Sequence, residues 1–130
     1  MSDGFIIKRG GGETYAAFKA LVDGSLTEVT AEMLDGITVI NTNAFSSRTS
    51  LSSITIPNGV TIMGQEAFRY CTSLTSVTVK SATPPTLGFG VFYNGSSNLV
   101  IYVPAESVDA YKSASGWSTY ADRIQAIPSE

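Results

Sequence analysis

Apolar and polar positions recur along this chain at a fixed offset of 23 residues. Residues 36–56 can be laid over residues 59–79, and the match places glycine on glycine and the Ala-Phe pair at 44–45 on the Ala-Phe pair at 67–68. Each unit contains the pattern Leu-x-x-Ile/Val-x-Ile/Val, which predicts a short strand with its apolar side chains turned inward. The residues of this pattern are Leu51, Ile54, Ile56, Leu74, Val77 and Val79.

Weaker copies of the unit flank these two. Leu26 and Val29 precede them, and Ile101-x-Val103-Pro104 repeats the pattern Ile54-x-Ile56-Pro57. One such unit cannot bury its own apolar side, so neighbouring units must stack on it. The pattern therefore predicts an α+β repeat protein: a short leucine-rich-repeat solenoid of about three to four coils, with stacked short strands and small capping helices.

Amphipathic segments at both ends of the repeats predict the caps that a short stack requires. Residues 13–22 have apolar side chains at helical spacing and stop at Asp23-Gly24, and residues 105–114 predict a second short helix. The predicted organisation is a leader or possible docking segment at 1–12, an N-terminal capping helix at 13–25, leucine-rich-repeat coils at 26–104 and a C-terminal cap at 105–130.

Small polar residues alternate with the inward-facing residues of the two predicted strands. They are expected on the exposed side of the stacked strands, with equivalent hydroxyls about 4.8 Å apart. Such a flat, hydroxyl-rich face could bind a glycan or a protein, and the alternative is that threonine simply suits exposed strands. The residues of this candidate binding face are Ser53, Thr55, Ser76, Thr78 and Lys80.

Composition removes several classes of function. The net charge is −3 and the eight basic residues are scattered, which argues against nucleic-acid binding. Histidine is absent and Cys71 is the one cysteine, so the commonest general base and any cysteine-based zinc cluster are missing. We expect no catalytic residue, no metal and no cofactor, hence a protein that is not an enzyme, with Cys71 as a small buried filler.

The first residues do not resemble a secretion signal or a membrane span. The one apolar run there is Phe5-Ile6-Ile7, far short of the roughly 7–15 residues of a signal peptide or the ~20 of a span. We expect no signal peptide, no membrane insertion and synthesis in a cytoplasm. Phe5, Ile6 and Ile7 could pair as a strand with a larger assembly, or they could cap the first coil, and both remain open.

The repeat unit resembles the BspA-type leucine-rich repeats of bacterial surface proteins, protist surface proteins and some phage proteins. The resemblance covers residues 26–127. Two positions of the first unit depart from the pattern: Asn41 stands where the second unit has Gly64, and Arg48 stands where it has Cys71. The resemblance implies the fold and a general interaction role, and it carries no catalytic residues. The matching residues include Ile56-Pro57-Asn58-Gly59-Val60, Gly64, Ala67-Phe68, Cys71, Leu74, Val77, Pro84-Pro85, Gly116-Trp117 and Tyr120.

The leading functional hypothesis is a phage virion accessory protein, such as a head decoration, fibre or tail component. The leader would attach it to the larger virion assembly, and the repeat face would bind a glycan or protein of the host surface. The alternative is a fragment or small member of a bacterial cell-surface adhesin family, which would place the protein on the bacterial surface. The exposed ends of a short solenoid and the apolar leader also favour a homotrimer or a dimer, and a homotrimer is the form we expect.

Overall fold

The computed structural model of the protein describes residues 27–34 and 36–128, and this part contains two parallel sheets. The five-stranded sheet has the order β1 (Glu28–Val29), β3 (Ser53–Ile56), β5 (Ser76–Val79), β7 (Val100–Val103) and β8 (Ile124–Ala126). The three-stranded sheet has the order β2 (Val39–Ile40), β4 (Ile62–Met63) and β6 (Thr86–Leu87). Within the described ranges the helices are α1 (Val108–Ser113) and three 3-10 helices, Glu32–Leu34, Ala105–Ser107 and Trp117–Arg123.

Strand pairing confirms the predicted repeat. In the five-stranded sheet Ser53 pairs with Ser76 and Ile54 with Val77, so β3 and β5 are joined at the 23-residue offset read from the sequence. From β1 to β7, successive strands of the chain alternate between the two sheets, and each strand pairs with its equivalent in the next unit. We refer to residues 36–58, 59–81 and 82–104 as the first, second and third repeats.

A turn segment forms a third line of contact between the repeats. In residues 42–47, alternate main-chain N–H groups donate to carbonyls of the next repeat: Phe45 to Ala67 at 2.8 Å and Ser47 to Arg69 at 2.7 Å. The equivalent turn segments of the second and third repeats are residues 65–70 and 89–94, and they are joined in the same way, with Phe68 donating to Val91 at 2.8 Å. Main-chain hydrogen bonds thus link successive repeats through both sheets and through the turn segments, which satisfies polar groups that burial would otherwise penalise.

The interior is filled by the inward-facing residue of each strand and by a row of phenylalanine rings. Phe45 stacks on Phe68 with ring centroids 5.1 Å apart, Phe68 stacks on Phe92 at 5.6 Å, and Tyr120 meets Phe92 edge-on at 5.3 Å. Stacked and edge-to-face rings at such distances are favourable beyond the area they bury. Equivalent large residues of successive repeats therefore pack directly against one another.

Two glycines at the corner after the three-stranded sheet allow the repeats to approach closely. A Cβ on Gly64 would lie 2.5 Å from the main-chain nitrogen of Thr42, and one on Gly88 would lie 2.5 Å from that of Gln65. Real Cβ atoms do not come this close to backbone, so only glycine fits. The main-chain N–H of Gly64 also donates to Ile40 at 2.7 Å, which holds the corner together.

The C-terminal residues pack on the last repeat through two buried aromatic side chains. The Tyr111 hydroxyl donates to the Ser81 carbonyl at 2.6 Å, and the Trp117 indole N–H donates to the Pro85 carbonyl at 2.7 Å. Both side chains are fully buried. A large aromatic residue with its polar group bonded is a stable way to cover an apolar end.

Two features of the fold differ from the sequence expectation. Ile124–Ala126 falls within the predicted C-terminal cap, for which no strand was predicted, but it forms β8, which pairs Ile124 with Ile101 and extends the five-stranded sheet. The three-stranded sheet was not predicted at all, because its two-residue strands are too short to show an alternating pattern. The predicted leader at 1–12 and helix at 13–25 lie outside the described residues.

Replacing Gly64 with alanine tests the close approach at the corner. We expect Gly64→Ala to lower the free energy of unfolding by about 3 kcal/mol, because the added methyl group meets backbone that cannot move aside. Gly59→Ala is the matched control, since a Cβ there meets nothing nearer than the Ile37 carbonyl oxygen at 3.9 Å. Urea denaturation of both variants measures the difference, and equal stabilities would contradict the corner constraint.

Candidate functional site

The predicted binding face exists as one side of the five-stranded sheet. Ser53, Thr55, Ser76 and Thr78 alternate with fully buried residues along β3 and β5, and each of the four is partly exposed. Strand pairing places Ser53 beside Ser76 and Thr55 beside Thr78. Neighbouring strands lie about 4.8 Å apart, so the hydroxyls form two short rows at that spacing.

The hydroxyls of these rows make no hydrogen bond to any residue that the structure describes. Polar side chains nearby behave differently: the Ser52 hydroxyl donates to the Thr27 carbonyl at 3.0 Å, and the Thr61 hydroxyl donates to the Thr38 carbonyl at 3.3 Å. The rows on the sheet face thus keep their donors and acceptors for solvent or for a bound molecule.

The face extends beyond the residues that the sequence suggested. Thr78 pairs with Tyr102, and Tyr102 pairs with Gln125, so the threonine row continues across β7 and β8 as polar residues. The serine row ends sooner, because Ser76 pairs with Val100. Lys80 is exposed just past β5 and places one positive charge at the end of the face.

A second group of side chains, which sequence reasoning missed, lies on the turn segments. The Arg69 guanidinium stacks on the Tyr70 ring at 4.5 Å and lies 5.6 Å from the centre of the Tyr93 ring. It also donates to the Tyr70 hydroxyl at 3.1 Å and to a Glu66 carboxylate oxygen at 3.4 Å. The hydrogen bond from Arg69 is the main reason that the pKa of Tyr70 is lowered from its ordinary value.

Next to this group is a cleft of about 400 Å³ between the third repeat and the C-terminal cap. Phe89 and Tyr93 of the turn segment form one part of its wall, and Thr119 and Tyr120 of the 3-10 helix form another. Alignment of the second and third repeats could have indicated that the residues of this cleft are unusual. Phe89 and Tyr93 stand where the second repeat has Gln65 and Arg69, so two aromatic residues replace polar ones at exposed positions.

Comparison with known families identifies the repeat. A model described as the BspA type leucine rich repeat region, of six copies, matches residues 16–115. The chain belongs to this family. Comparison with curated proteins finds no match for this BspA-type chain.

Neither a metal centre nor a membrane-spanning helix is found in the part of this BspA-type protein that the structure describes. Over residues 27–34 and 36–128, histidine, cysteine and acidic side chains form no group of three or more that could hold a metal ion. No helix within the same ranges is long and apolar enough to cross a membrane.

Cys71 lies in the interior of this BspA-type repeat stack. Its side chain is 1% exposed, and its thiol donates to the Phe45 carbonyl at 3.0 Å. Burial raises the pKa of the Cys71 thiol from 9.0 to about 11, because the thiolate would lose its hydration. The protonated thiol is a weak nucleophile, so its surroundings suit packing and not chemistry.

The reactivity of Cys71 is therefore expected to report unfolding. An aromatic disulfide reagent at neutral pH should modify the folded protein slowly and the urea-unfolded protein rapidly. Between pH 9 and about 11 the unfolded chain loses the thiol proton first, so the free energy of unfolding should fall with rising pH. Cys71→Ala should show a smaller fall over that range. Rapid modification of the folded protein would contradict the buried placement.

Proposed function

We propose that this protein is a non-enzymatic adhesion-type module that presents the outer face of its five-stranded sheet to a surface glycan or protein. Membership of the BspA-type family supports an interaction role. We choose this face because Ser53 pairs in register with Ser76, and Thr55 with Thr78. It produces a flat row of hydroxyls with no partner among the described residues.

The shape we propose for the module is a short leucine-rich-repeat solenoid of about three to four coils. The parallel pairing of equivalent strands in both sheets and the stacked phenylalanines support this shape. Within it, residues 26–104 are the coils, residues 13–25 and 105–130 are the caps, and residues 1–12 are the attachment segment. The buried bonds of Tyr111 and Trp117 support the C-terminal cap.

The sheet face offers hydrogen bonds and two side chains of opposite charge, Glu28 beside Ser53 and Lys80 past β5, which suits a polar surface with no net charge. Hydroxyls can donate and accept, so one row can bond to sugar hydroxyls or to the main chain of a protein. Lys80 adds a positive charge at the edge, where it can favour an anionic group of the ligand. Threonine also holds a stiff conformation on a strand, which limits the entropy lost on binding.

The face can be tested by adding bulk to it without touching the core. We expect the double variant Thr55→Arg/Thr78→Arg to weaken binding at least tenfold, because two long side chains would stand on the contact surface. Binding is measured by interferometry on immobilised peptidoglycan, lipopolysaccharide and mucin. The matched control is Thr38→Arg/Thr86→Arg, which adds the same charge at two exposed threonines beside or within the three-stranded sheet.

Unchanged binding in the sheet-face variant would rule the face out as the contact surface. Equal loss in both double variants would instead point to a general effect of added charge, and the proposal would fail in that case too. Circular dichroism of each variant shows whether the fold is intact, which exposed strand positions should permit.

We place the module on an exposed biological surface, a phage virion in the first instance and a bacterial cell surface as the alternative. The apolar sequence Phe5-Ile6-Ile7 supports attachment through residues 1–12, because an extended apolar segment can add to the edge of a partner's sheet. A homotrimer is the assembly we propose for the attached form.

Deleting residues 1–12 tests the attachment. The shortened chain should keep its circular dichroism spectrum but no longer sediment with particles or cell envelopes from the native source. Immunogold labelling of that source distinguishes virions from cells. Light scattering before and after the deletion measures whether the segment also holds a trimer. Retained association after the deletion would be evidence against docking by this segment.

A further inference from the structure

The cleft between the third repeat and the C-terminal cap has features that the fold itself does not require. Phe89 is 75% exposed and Tyr93 is 50% exposed, although both are large and aromatic. Exposed aromatic surface is unfavourable in water, and where it gathers in one place it commonly marks a binding site. The equivalent residues of the second repeat, Gln65 and Arg69, show that the turn segment forms with polar residues at these positions.

Three of the residues that line the cleft are glycines, which add no side chain of their own to its wall. Gly88, Gly90 and Gly116 all line it, and Gly116 has the positive φ of 84° that favours glycine. A Cβ on Gly116 would lie 3.1 Å from the Leu87 side chain. The gap of about 400 Å³ is at the small end of the range of ligand pockets, roughly 300–1,000 Å³.

The cleft is also preformed. Tyr120 is held by its edge-on contact with Phe92, at 5.3 Å between ring centroids. Tyr93 is held from outside the cleft by Tyr70, 6.4 Å away, and by the Arg69 guanidinium. A site with fixed walls loses little conformational entropy when it binds.

The chemistry of the lining selects among ligands that stack on aromatic rings. Of the described residues that line the cleft, none is charged, and the chain as a whole has a net charge of −3. The lining thus offers no cation to balance the charges of a nucleotide or another polyanion. A proline-rich peptide has carbonyl acceptors but no N–H donor at its prolines, so it would use only the donor capacity of the hydroxyls at the cleft, whereas a sugar hydroxyl matches both donor and acceptor.

We infer that this cleft binds an uncharged sugar ring of an oligosaccharide, packed against Phe89 and Tyr93. The apolar C–H face of the ring would cover the exposed aromatic surface. The hydroxyls of Thr119, Tyr93 and Tyr120 would meet the hydroxyls of the sugar, since each can both donate and accept. This inference does not depend on the proposed function of the sheet face.

Saturation-transfer NMR on the full chain tests the inference, with maltotriose, cellotriose and chitotriose as probes. At least one of them should receive saturation from the protein, and calorimetry then gives its dissociation constant. Phe89→Ala and Tyr93→Ala should each weaken that binding at least tenfold. Both side chains are half or more exposed, so neither substitution removes core packing.

Two controls separate the cleft from other surfaces. Ile62→Ala removes an apolar side chain that is 43% exposed on β4 and does not line the cleft, and it should leave sugar binding unchanged. Thr55→Arg/Thr78→Arg should also leave it unchanged, so this test and the test of the sheet face can fail separately. Loss of sugar binding in either control would overturn the assignment to the cleft.

Three further results would overturn the inference. One is that none of the three sugars receives saturation at millimolar concentration. Another is that a polyproline peptide binds and loses its binding in Tyr93→Ala while the sugars do not bind. The third is that Phe89→Ala lowers the molar mass measured by light scattering without affecting any sugar, because the cleft would then hold a second copy of the chain.

Discussion

The spacing between successive repeats is fixed where Gly64 and Gly88 turn the corner after the three-stranded sheet. At each glycine the chain passes so close to the preceding repeat that a Cβ would lie 2.5 Å from a main-chain nitrogen. The same residues donate main-chain hydrogen bonds across the repeats, Gly64 to Ile40 at 2.7 Å and Gly88 to Met63 at 2.8 Å. A larger residue would separate the repeats here and strain the pairing on either side, since parallel strands need a constant separation of about 4.8 Å.

This spacing determines how side chains are arranged inside and outside. Inside, Phe45, Phe68 and Phe92 must stack at 5.1 and 5.6 Å, so that row tolerates little change. Outside, the backbone already fixes the distance between equivalent positions, and the side chain there can change freely. The outward row of Glu28, Ser53, Ser76 and Val100 can therefore carry different side chains without any cost to the core.

Sequence reasoning predicted the repeating strands of the five-stranded sheet and missed the two-residue strands of the three-stranded sheet and the packing of the C-terminal cap. The pairing of Ile54 with Val77 could be predicted, because two copies of one pattern at a fixed offset must lie side by side if they stack. The strand Ile124–Ala126 could not, because the segment before it is a 3-10 helix and does not follow the repeat pattern. The cleft was missed because Phe89 and Gly116 meet through the packing of the cap, which no local pattern describes.

The contacts that close the C-terminal end also build the wall of the cleft. Tyr111 and Trp117 donate buried hydrogen bonds to Ser81 and Pro85, on the segment between β5 and β6. Those bonds fix the cap against the segment that leads into the third repeat, so Tyr120 and Phe89 line the same cleft before any ligand arrives. Any stack of repeats must end with a residue set that differs from the repeat, because its last apolar face has no neighbour. The end of the stack is therefore the place where a pocket can form, while the uniform sheet face can offer only a flat surface.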